Sequence, residues 1–297
     1  MENKKKMLFV ANPFSGYKLG GRLGELLQKY LNTEIYEYQL SYTEYPGHAT
    51  ILANQAVKDG YFAVIAAGGD GTVNEVANAL QGSNTALGII PLGSGNGFAY
   101  HLNIRRDFNK AIDIINQAHI TTIDTGSVNG RFFVNVAGMG LDAAVAFKTK
   151  TNKKRGFLPY LKQSLIEGLK FKKLHLQIST AGKSWSGDYA MAVIANGSIY
   201  GYNFAIAPSA ILDDGVFDVL LVKYIPLWKY VFLLPRFFTK TIQNSPYVEY
   251  FKANEITLIT DNDSYYHVDG EGFEIKGSVH FKNQPQNLKI ISLPVNL

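Results

Sequence analysis

The sequence predicts an N-terminal α/β domain with a doubly wound, Rossmann-like parallel sheet, followed by an antiparallel β-sandwich domain. Strand-like and helix-like segments alternate through residues 1–125, an order typical of a parallel sheet with helices on both faces. Residues 126–284 contain mostly strand-like segments with few helical ones between them, which favours an antiparallel arrangement. Residues 285–297 include an apolar segment that can return to the first domain.

Each segment of the first domain follows from its pattern of apolar residues. Strands are predicted where short stretches are fully apolar or alternate with polar residues, and helices where apolar residues recur on one side. The predicted strands are Lys6–Ala11, Glu34–Leu40, Phe62–Ala67 and Ala86–Pro91. The predicted helices are Gly20–Tyr30, His48–Asp59, Thr72–Leu80 and Asn109–Ala118.

The second domain contains strand-like segments in succession. They are Arg131–Val136, Leu174–Thr180, Ser184–Ala195, Phe217–Lys223, Glu255–Thr260 and Glu274–Lys282. No internal repeat or low-complexity linker separates them from the first domain, so we expect two closely packed domains. The final apolar segment, Leu288–Leu293, can join either one.

The composition is that of a globular protein. Of 297 residues, 46% are hydrophobic and 18% are charged, which provides ample material for a core. The lack of cysteine excludes disulfides, thiolate metal sites and cysteine nucleophiles, and it is consistent with a cytoplasmic protein. No window approaches the roughly 18 apolar residues of a membrane-spanning helix, so we expect no transmembrane segment. The net charge of +5 favours an anionic partner.

The strongest motif is Gly68-Gly69-Asp70-Gly71-Thr72, which joins an apolar strand to a helix. Glycines allow the backbone to turn sharply and to approach a ligand closely. The helix that follows offers unpaired N–H groups and a positive dipole end to an anion. A carboxylate beside a phosphate is favourable when a cation lies between them. The motif therefore favours a site for phosphate and metal, with an ordinary tight turn as the alternative.

Two further glycine-rich turns follow strands of the same domain. Asn12-Pro13-Phe14-Ser15-Gly16 follows the first strand, and Gly93-Ser94-Gly95-Asn96 follows the fourth. Ligands of parallel sheets bind at the carboxyl ends of the strands, where all three turns would converge. The sequence thus predicts a polyphosphate site, although either turn alone is better explained as structural. The loops contain no Walker A sequence and no dinucleotide fingerprint.

These motifs resemble those of the diacylglycerol kinase catalytic-domain family, which includes bacterial lipid kinases, sphingosine kinases and ceramide kinases. The match begins with GGDGTVNEVANAL at residues 68–80 and covers nearly the whole chain in family order. The further blocks are Asn12-Pro13-x-Ser15-Gly16, Pro91-x-Gly93-Ser94-Gly95-Asn96, Gly138-x-Gly140-x-Asp142-Ala143, the segment 207–218 and Val268-Asp269-Gly270-Glu271. NAD kinases and phosphofructokinases share the Gly-Gly-Asp-Gly loop, so the resemblance implies their fold.

The resemblance implies an ATP- and Mg²⁺-dependent kinase acting on the hydroxyl of a membrane lipid. It implies a set of nucleotide-binding residues drawn from the three turns and their surroundings. These are Asn12, Pro13, Ser15, Gly16, Thr43, Gly68, Gly69, Asp70, Gly71, Thr72, Asn74, Glu75, Gly93, Ser94, Gly95 and Asn96. Asp70 and Glu271 are its implied catalytic residues, the latter as general base for the acceptor hydroxyl. From the residues alone, the turn around Glu271 is better explained as a hairpin.

The resemblance also implies a structural magnesium site in the second domain. Its implied residues are Asp213, Asp214 and Asp218, with Asp124 near the metal network. Backbone carbonyls near Val216 and Asp218 would complete the shell around Asp213. Carboxylates grouped in this way suit a hard cation, and a β-turn with Asp and Gly is an equal alternative. The histidines show no metal-binding or hydrolase spacing, so we expect them on the surface or in loops.

Two stretches suit peripheral contact with an anionic membrane surface. Residues 148–173 combine basic and aromatic side chains, and residues 224–251 carry an aromatic cluster. A solvated face explains the first equally well, and core packing is the commoner explanation of the second. We expect no nucleic-acid partner, since the sequence contains no recognised nucleic-acid module. A homodimer is left open.

The acceptor is left open as well. Asn96-Gly97 resembles sphingosine kinases, whereas Val268-Asp269-Gly270-Glu271 resembles bacterial lipid kinases, so diacylglycerol, a sphingoid base and related lipid alcohols all fit. The alternatives are a kinase of a soluble acceptor such as NAD, and a non-catalytic protein that binds lipid or nucleotide.

Overall fold

The computed structural model describes residues 4–16, 22–149, 157–202 and 204–294. The chain forms two compact units, called unit 1 (Met1–Ile123 with Gln286–Leu297) and unit 2 (Asp124–Pro285). The predicted fold class, a parallel α/β domain followed by an antiparallel β domain, is confirmed. The functional assignment of each unit stays a prediction.

Strands and helices alternate in unit 1. They are β1 (Lys5–Ala11), α1 (Leu23–Tyr30), β2 (Tyr36–Tyr42), α2 (His48–Lys58), β3 (Ala63–Gly68), α3 (Asp70–Leu80), β4 (Ala86–Pro91), α4 (Gly97–His101) and α5 (Phe108–Gln117). The strands are parallel in the order β2-β1-β3-β4. Every residue of β3 and β4 is buried, as expected for central strands with helices on both faces.

Local chemistry explains where two helices of unit 1 begin. The Asp107 side chain accepts hydrogen bonds from the backbone N–H groups of Asn109 and Lys110 at the start of α5, a typical N-cap. The short helix α4 was not predicted, and it starts after Asn96, whose φ is +51°. Asparagine tolerates this left-handed conformation better than most residues.

Unit 2 consists mainly of antiparallel strands. Its elements, together with the strand that leads into it, are β5 (Ile120–Val128), β6 (Arg131–Phe133), β7 (Val136–Gly140), α6 (Leu141–Thr149), α7 (Phe157–Lys170), β8 (Leu174–Thr180), β9 (Lys183–Ala195), β10 (Ile199–Gly201), β11 (Phe204–Ala205), β12 (Phe217–Lys223), α8 (Leu227–Phe238), β13 (Val248–Ala253), β14 (Glu255–Val268) and β15 (Glu271–Ile291). The main path of pairing is β13-β12-β9-β7-β14-β15.

The long strands β9 and β14 change partners along their length. Each pairs with β8 at one end and with β7 at the other. These four strands therefore enclose an apolar cluster that includes Leu176, Ile194 and Leu258. A second apolar cluster, containing Leu220, Leu233 and Phe237, packs α8 against other strands of the unit.

The end of β15 belongs to unit 1. Ile290 is in parallel register with Leu87 of β4, and the Asn287 carbonyl accepts a hydrogen bond from the Gly82 N–H (2.7 Å). The chain thus returns to the parallel sheet after completing unit 2. Among the described residues, no helix combines the length and apolar character needed to cross a lipid bilayer.

Candidate active site

Three loops lie at one edge of the parallel sheet in unit 1. We call them loop 1 (residues 12–16), loop 2 (residues 68–72) and loop 3 (residues 91–97), and they follow β1, β3 and β4. Because the three strands are parallel neighbours, their carboxyl ends meet at this edge. The register places Ala11 beside Ala67 and Gly68 beside Pro91, so the loops start at the same level.

Direct contacts join the loops. The N–H groups of Leu92 and Gly93 donate to the Gly68 carbonyl (2.8 and 3.1 Å). The Asp70 carboxylate in loop 2 accepts from the Asn96 N–H in loop 3 (2.8 Å). A β-carbon at Gly16 in loop 1 would lie 3.1 Å from the Leu92 β-carbon. The loops therefore form one continuous surface, as the sequence suggested.

Glycine is required at the contact between loops 2 and 3. A β-carbon at Gly93 would lie 2.5 Å from the Gly69 α-carbon, which is closer than nonbonded carbon atoms approach. A β-carbon at Gly68 would overlap with the Thr72 hydroxyl oxygen. The glycines thus allow two backbone segments to touch, in addition to leaving room for a ligand.

Asn96 is the most unusual polar residue of these loops. Its side chain is buried, and its amide nitrogen donates to the Gly93 carbonyl (2.8 Å). The amide oxygen is also buried and has no hydrogen-bond partner among the described residues. Buried polar atoms are rarely left unsatisfied in native proteins. Asn96 therefore has an acceptor available for a donor from a ligand or from water.

Helix α3 directs its N-terminus into the same loops. Asp70 is its first residue, and the sheet edge lies immediately before it. The unpaired N–H groups and the dipole of this helix favour an anion, and the adjacent Asp70 carboxylate supplies oxygen for a hard cation. The loops can accordingly hold a metal-bound phosphate chain.

The other predicted nucleotide-binding residues have varied surroundings. The Thr43 N–H donates to the Ala11 carbonyl (2.9 Å), which places Thr43 beside the start of loop 1. A β-carbon at Gly95 in loop 3 would lie 3.0 Å from the Asp70 carboxylate. Ser94 lies in the same loop. Of the others apart from Glu75, two are exposed, three are half-buried and one is buried: Pro13 and Gly71; Asn12, Ser15 and Asn74; and Thr72.

Glu75 performs a structural task in unit 1. Its carboxylate accepts hydrogen bonds from the Gly47 N–H (2.9 Å) and the Ala49 N–H (3.1 Å) at the start of α2. It therefore caps the neighbouring helix, where a negative charge is favourable. Its role in nucleotide binding stays a prediction.

Glu271 lies at the tip of a hairpin in unit 2. It is the first residue of β15 and is paired with Val268, the last residue of β14. Asp269 and Gly270 form the turn with φ angles of +46° and +85°, as in the tight turns typical of hairpins. Glu271 is exposed. The hairpin explanation given by the residues alone is therefore correct, and the role of Glu271 as general base stays a prediction.

Asp269 anchors this hairpin. Its carboxylate accepts hydrogen bonds from the N–H groups of Val134 (2.9 Å), Asn135 (3.0 Å) and Val136 (2.9 Å). The Asp269 N–H donates to the Val136 carbonyl (2.9 Å). From the sequence we assigned no task to Asp269, although its place in a predicted turn was the available signal. The anchor holds the turn that precedes Glu271.

A neighbouring glycine brings a helix close to the hairpin. A β-carbon at Gly272 would overlap with the backbone nitrogen of Phe147 in α6. The start of β15 and helix α6 therefore pack backbone against backbone. Both the anchor and this contact restrict the position of Glu271.

Two of the four predicted metal-binding carboxylates are paired with a lysine. The Lys252 ammonium lies 2.6 Å from the Asp214 carboxylate and 3.4 Å from that of Asp218. Tyr250 also donates to Asp218, which is buried. Burial raises the pKa of Asp218, and the hydrogen bond from Tyr250 and the charge of Lys252 oppose that rise.

Asp124 supports the turn that contains the exposed Asp213. Its buried carboxylate accepts a hydrogen bond from the Gly215 N–H (2.6 Å), and its own N–H donates to the Leu212 carbonyl (2.6 Å). In the part of the chain that the structure describes, no group of three or more His, Asp or Glu side chains is arranged to hold a metal. The residues therefore do not fit a site built from three carboxylates. A site built from Asp213 and main-chain carbonyls stays a prediction.

A buried polar cluster was not predicted. The His267 Nε2 atom lies 3.1 Å from the Asp142 carboxylate and 2.9 Å from the Tyr200 hydroxyl, which also donates to Asp142. The expectation that every histidine lies on the surface or in a loop is wrong for His267, which is buried within β14. The cluster fits because Gly138 has no side chain: a β-carbon there would lie 3.1 Å from His267 and 3.0 Å from Asp142. The signal was the Gly138-x-Gly140-x-Asp142 motif.

Comparisons with known proteins agree with this architecture. The family model described as diacylglycerol kinase catalytic domain matches residues 6–128, and that described as YegS C-terminal NAD kinase beta sandwich-like domain matches residues 135–292. A crystal structure of a diacylglycerol kinase from Bacillus anthracis is similar over the full length of both chains, with a TM-score of 0.75 and 20% identity. An NAD kinase from Archaeoglobus fulgidus in complex with ATP has a TM-score of 0.56 and 12% identity over 97% of this chain and 94% of its own. These structures share the fold.

Sequence relatives are closer. A diacylglycerol kinase of Staphylococcus saprophyticus is 30% identical over 97% of this chain and 96% of the relative. One from Staphylococcus aureus strain JH9 is 32% identical over 90% of this chain and 86% of the relative. With family models covering both units and this identity over nearly the full length, the chain belongs to the diacylglycerol kinase family of enzymes.

Proposed function

We propose that this enzyme transfers the γ-phosphate of ATP to the hydroxyl group of a membrane lipid. The observation that carries the proposal is the contact of the three loops in unit 1, with Asp70 bonded to Asn96. Loop amides and the N-terminus of α3 suit the phosphates of the nucleotide. Membership of the diacylglycerol kinase family and the names of its relatives support a lipid acceptor.

The transfer proceeds in a single displacement. The acceptor hydroxyl oxygen attacks the γ-phosphorus, while the bond from that phosphorus to the bridging oxygen breaks and its electrons leave with ADP. Glu271 accepts the hydroxyl proton and later releases it to water. The products are a lipid phosphomonoester, ADP and a proton. Asp70 would hold Mg²⁺ at the loops, where the ion supplies positive charge beside the phosphates.

The position of Glu271 supports its assignment as the base. It is exposed at the tip of a hairpin that Asp269 anchors through three backbone hydrogen bonds. A base must keep a fixed position and remain accessible to the acceptor, and this arrangement provides both. The proposal requires the acceptor hydroxyl to reach Glu271 while its oxygen faces the γ-phosphate.

The test is a comparison of Glu271→Gln with Glu274→Gln, another exposed glutamate on the same strand. We expect Glu271→Gln to reduce turnover about 10² to 10⁴-fold and to leave ATP binding unchanged. Glu274→Gln should retain turnover. Normal turnover in Glu271→Gln would contradict the assignment of the base.

The acceptor is tested with labelled ATP and a panel of lipid micelles, NAD and fructose 6-phosphate. The proposal expects label in a chloroform-soluble phosphomonoester. Label in NAD alone would favour a soluble acceptor, and ATP binding without transfer to any acceptor would favour a non-catalytic protein.

A further inference from the structure

Helix α8 of unit 2 carries an apolar side that faces solvent. Trp228 and Val231 are each 63% exposed and Phe232 is 65% exposed. Their spacing of three and four residues places them on one side of the helix. Leu234 and Phe238 add to the exposed apolar surface of the same helix. Contiguous exposed apolar surface of this kind marks a site of interaction.

The opposite side of α8 is already packed. Leu233 and Phe237 are 3% and 5% exposed and belong to the second apolar cluster of unit 2. The Phe237 ring stacks on Phe204 with 4.2 Å between ring centroids. The helix is therefore held by its inner side, and its outer apolar side does not contribute to the core.

The charged side chains of α8 and of the chain on either side of it have one sign. Residues 219–248 contain no aspartate or glutamate, and they include Lys229, Arg236 and Lys240. The Lys229 ammonium lies 5.5 Å from the centroid of the Trp228 ring. Apolar side chains with tryptophan, flanked by cations, suit the boundary between lipid headgroups and acyl chains.

We propose that this outer side of α8 docks on an anionic lipid surface, an inference that rests on the lipid acceptor proposed above. The positive charge favours lipid over a second copy of the chain. In a symmetric dimer the same patch meets itself, which would bring like charges together. An anionic bilayer instead offers charge of the opposite sign and an apolar interior.

The experiment compares the full chain with the double variant Trp228→Ser/Phe232→Ser. The matched control is Ile35→Ser/Ile51→Ser, which removes two exposed apolar side chains from unit 1. Binding is measured by co-sedimentation with vesicles of phosphatidylcholine, with and without phosphatidylglycerol. Because each large side chain that enters the apolar phase strengthens binding about tenfold or more, we expect the α8 variant to partition about a hundredfold less. The control should bind like the parent protein, and phosphatidylcholine alone should bind all three weakly.

Activity in detergent-dispersed lipid separates this inference from the proposed function. The α8 variant should retain its turnover there, since detergent delivers the acceptor without a bilayer. Unchanged vesicle binding by the α8 variant would overturn the docking inference whatever the activity. Light scattering gives the oligomeric state. If the parent protein is a dimer and the α8 variant is a monomer, the docking inference is also overturned, and the surface binds a second copy of the chain instead. Failure of the parent protein to phosphorylate any lipid would instead overturn the proposed function.

Discussion

The Asp70 carboxylate and the Asn96 backbone N–H are joined by a hydrogen bond of 2.8 Å, which connects loop 2 to loop 3. The bond ties the residue proposed to hold a cation to the loop that would contact phosphate. Asp70 thus has two tasks: its oxygen accepts this hydrogen bond, and its negative charge would hold the cation. An amide oxygen could perform the first task but not the second, because it carries no charge.

Replacing Asp70 by asparagine should separate these tasks. Asp70→Asn keeps an acceptor for Asn96 and removes the negative charge, so we expect a normal melting temperature. We expect turnover to fall about 10² to 10³-fold, the range typical of a lost electrostatic contact in the transition state. Turnover is measured across a magnesium titration, with the exposed Asp113→Asn on α5 as control. Unaltered turnover and magnesium dependence in Asp70→Asn would contradict the assignment.

Two alanine substitutions test the close contact of the loops. Gly93→Ala places a β-carbon 2.5 Å from the Gly69 α-carbon, so we expect a loss of about 1 to 3 kcal/mol in the free energy of unfolding. Gly71→Ala lies nearby in α3, where a β-carbon meets nothing within 4 Å. Alanine is the better helix former, so this control should be neutral or stabilising by up to about 1 kcal/mol. Equal free energies of unfolding for Gly93→Ala and Gly71→Ala in urea denaturation would show that stability does not depend on the close approach of loops 2 and 3.

Loss of the Asp269 anchor should affect stability and activity together. Asp269→Ala leaves the N–H groups of Val134, Asn135 and Val136 without their acceptor, which we expect to cost about 3 kcal/mol. Turnover should also fall, because the turn before Glu271 is no longer held. Asp269→Asn should be milder, since asparagine retains an acceptor and tolerates the positive φ.

The control for the anchor is Asp263→Ala on β14, the strand that leads into this turn. Asp263 is exposed, and its carboxylate lies 3.8 Å from the Lys276 ammonium, a surface pair that contributes little. Urea denaturation and turnover are measured on all three variants. A stable, fully active Asp269→Ala would show that the three hydrogen bonds do not position the hairpin.

Lys252 should stabilise unit 2 through Asp218. In Lys252→Met the buried Asp218 loses a cation at 3.4 Å, so we expect a loss of about 2 kcal/mol in the free energy of unfolding. Adding Asp218→Asn should recover part of this loss, because the carboxylate that needs the cation is gone.

The structural magnesium is tested separately, by thermal melting of the parent protein with Mg²⁺ and with EDTA. An equal melting temperature in Mg²⁺ and in EDTA would contradict a structural magnesium at Asp213.

His101 should make stability depend on pH. Burial lowers its pKa from 6.5 to about 4, so the folded protein keeps the ring neutral while the unfolded chain binds a proton. The unfolded state binds more protons in this interval, and stability therefore falls as the pH decreases from about 6.5 towards about 4. Between about pH 6.5 and about pH 5 we expect His101 to account for a loss of about 1 to 2 kcal/mol.

The measurement is urea denaturation of the parent protein, His101→Gln and His119→Gln at a series of pH values. His119 is exposed and serves as the control. The pH dependence should be reduced in His101→Gln and unchanged in His119→Gln. The same slope in all three proteins would contradict a His101 ring that stays neutral in the folded protein.

The sequence by itself determined the order of strands and helices in unit 1, apart from the short α4, and the sites of the loops. Apolar periodicity distinguishes strands from helices because each element has its own repeat, and it identified the buried strands β3 and β4. Glycines after strands were informative because few other residues allow so close an approach of backbone, as at Gly93. Alternating strands and helices imply a parallel sheet, which brings loops distant in sequence to one edge.

Only the tertiary structure decided which partner each polar side chain has. Glu75 caps α2, Asp269 holds residues 134–136, and His267 lies buried beside Asp142. None of these pairings follows from local pattern, because the partners are far apart in the chain and meet through the packing of other elements. The same reason applies to α8: its sequence is apolar on nearly every side, and only the fold decided which side is buried and which faces solvent.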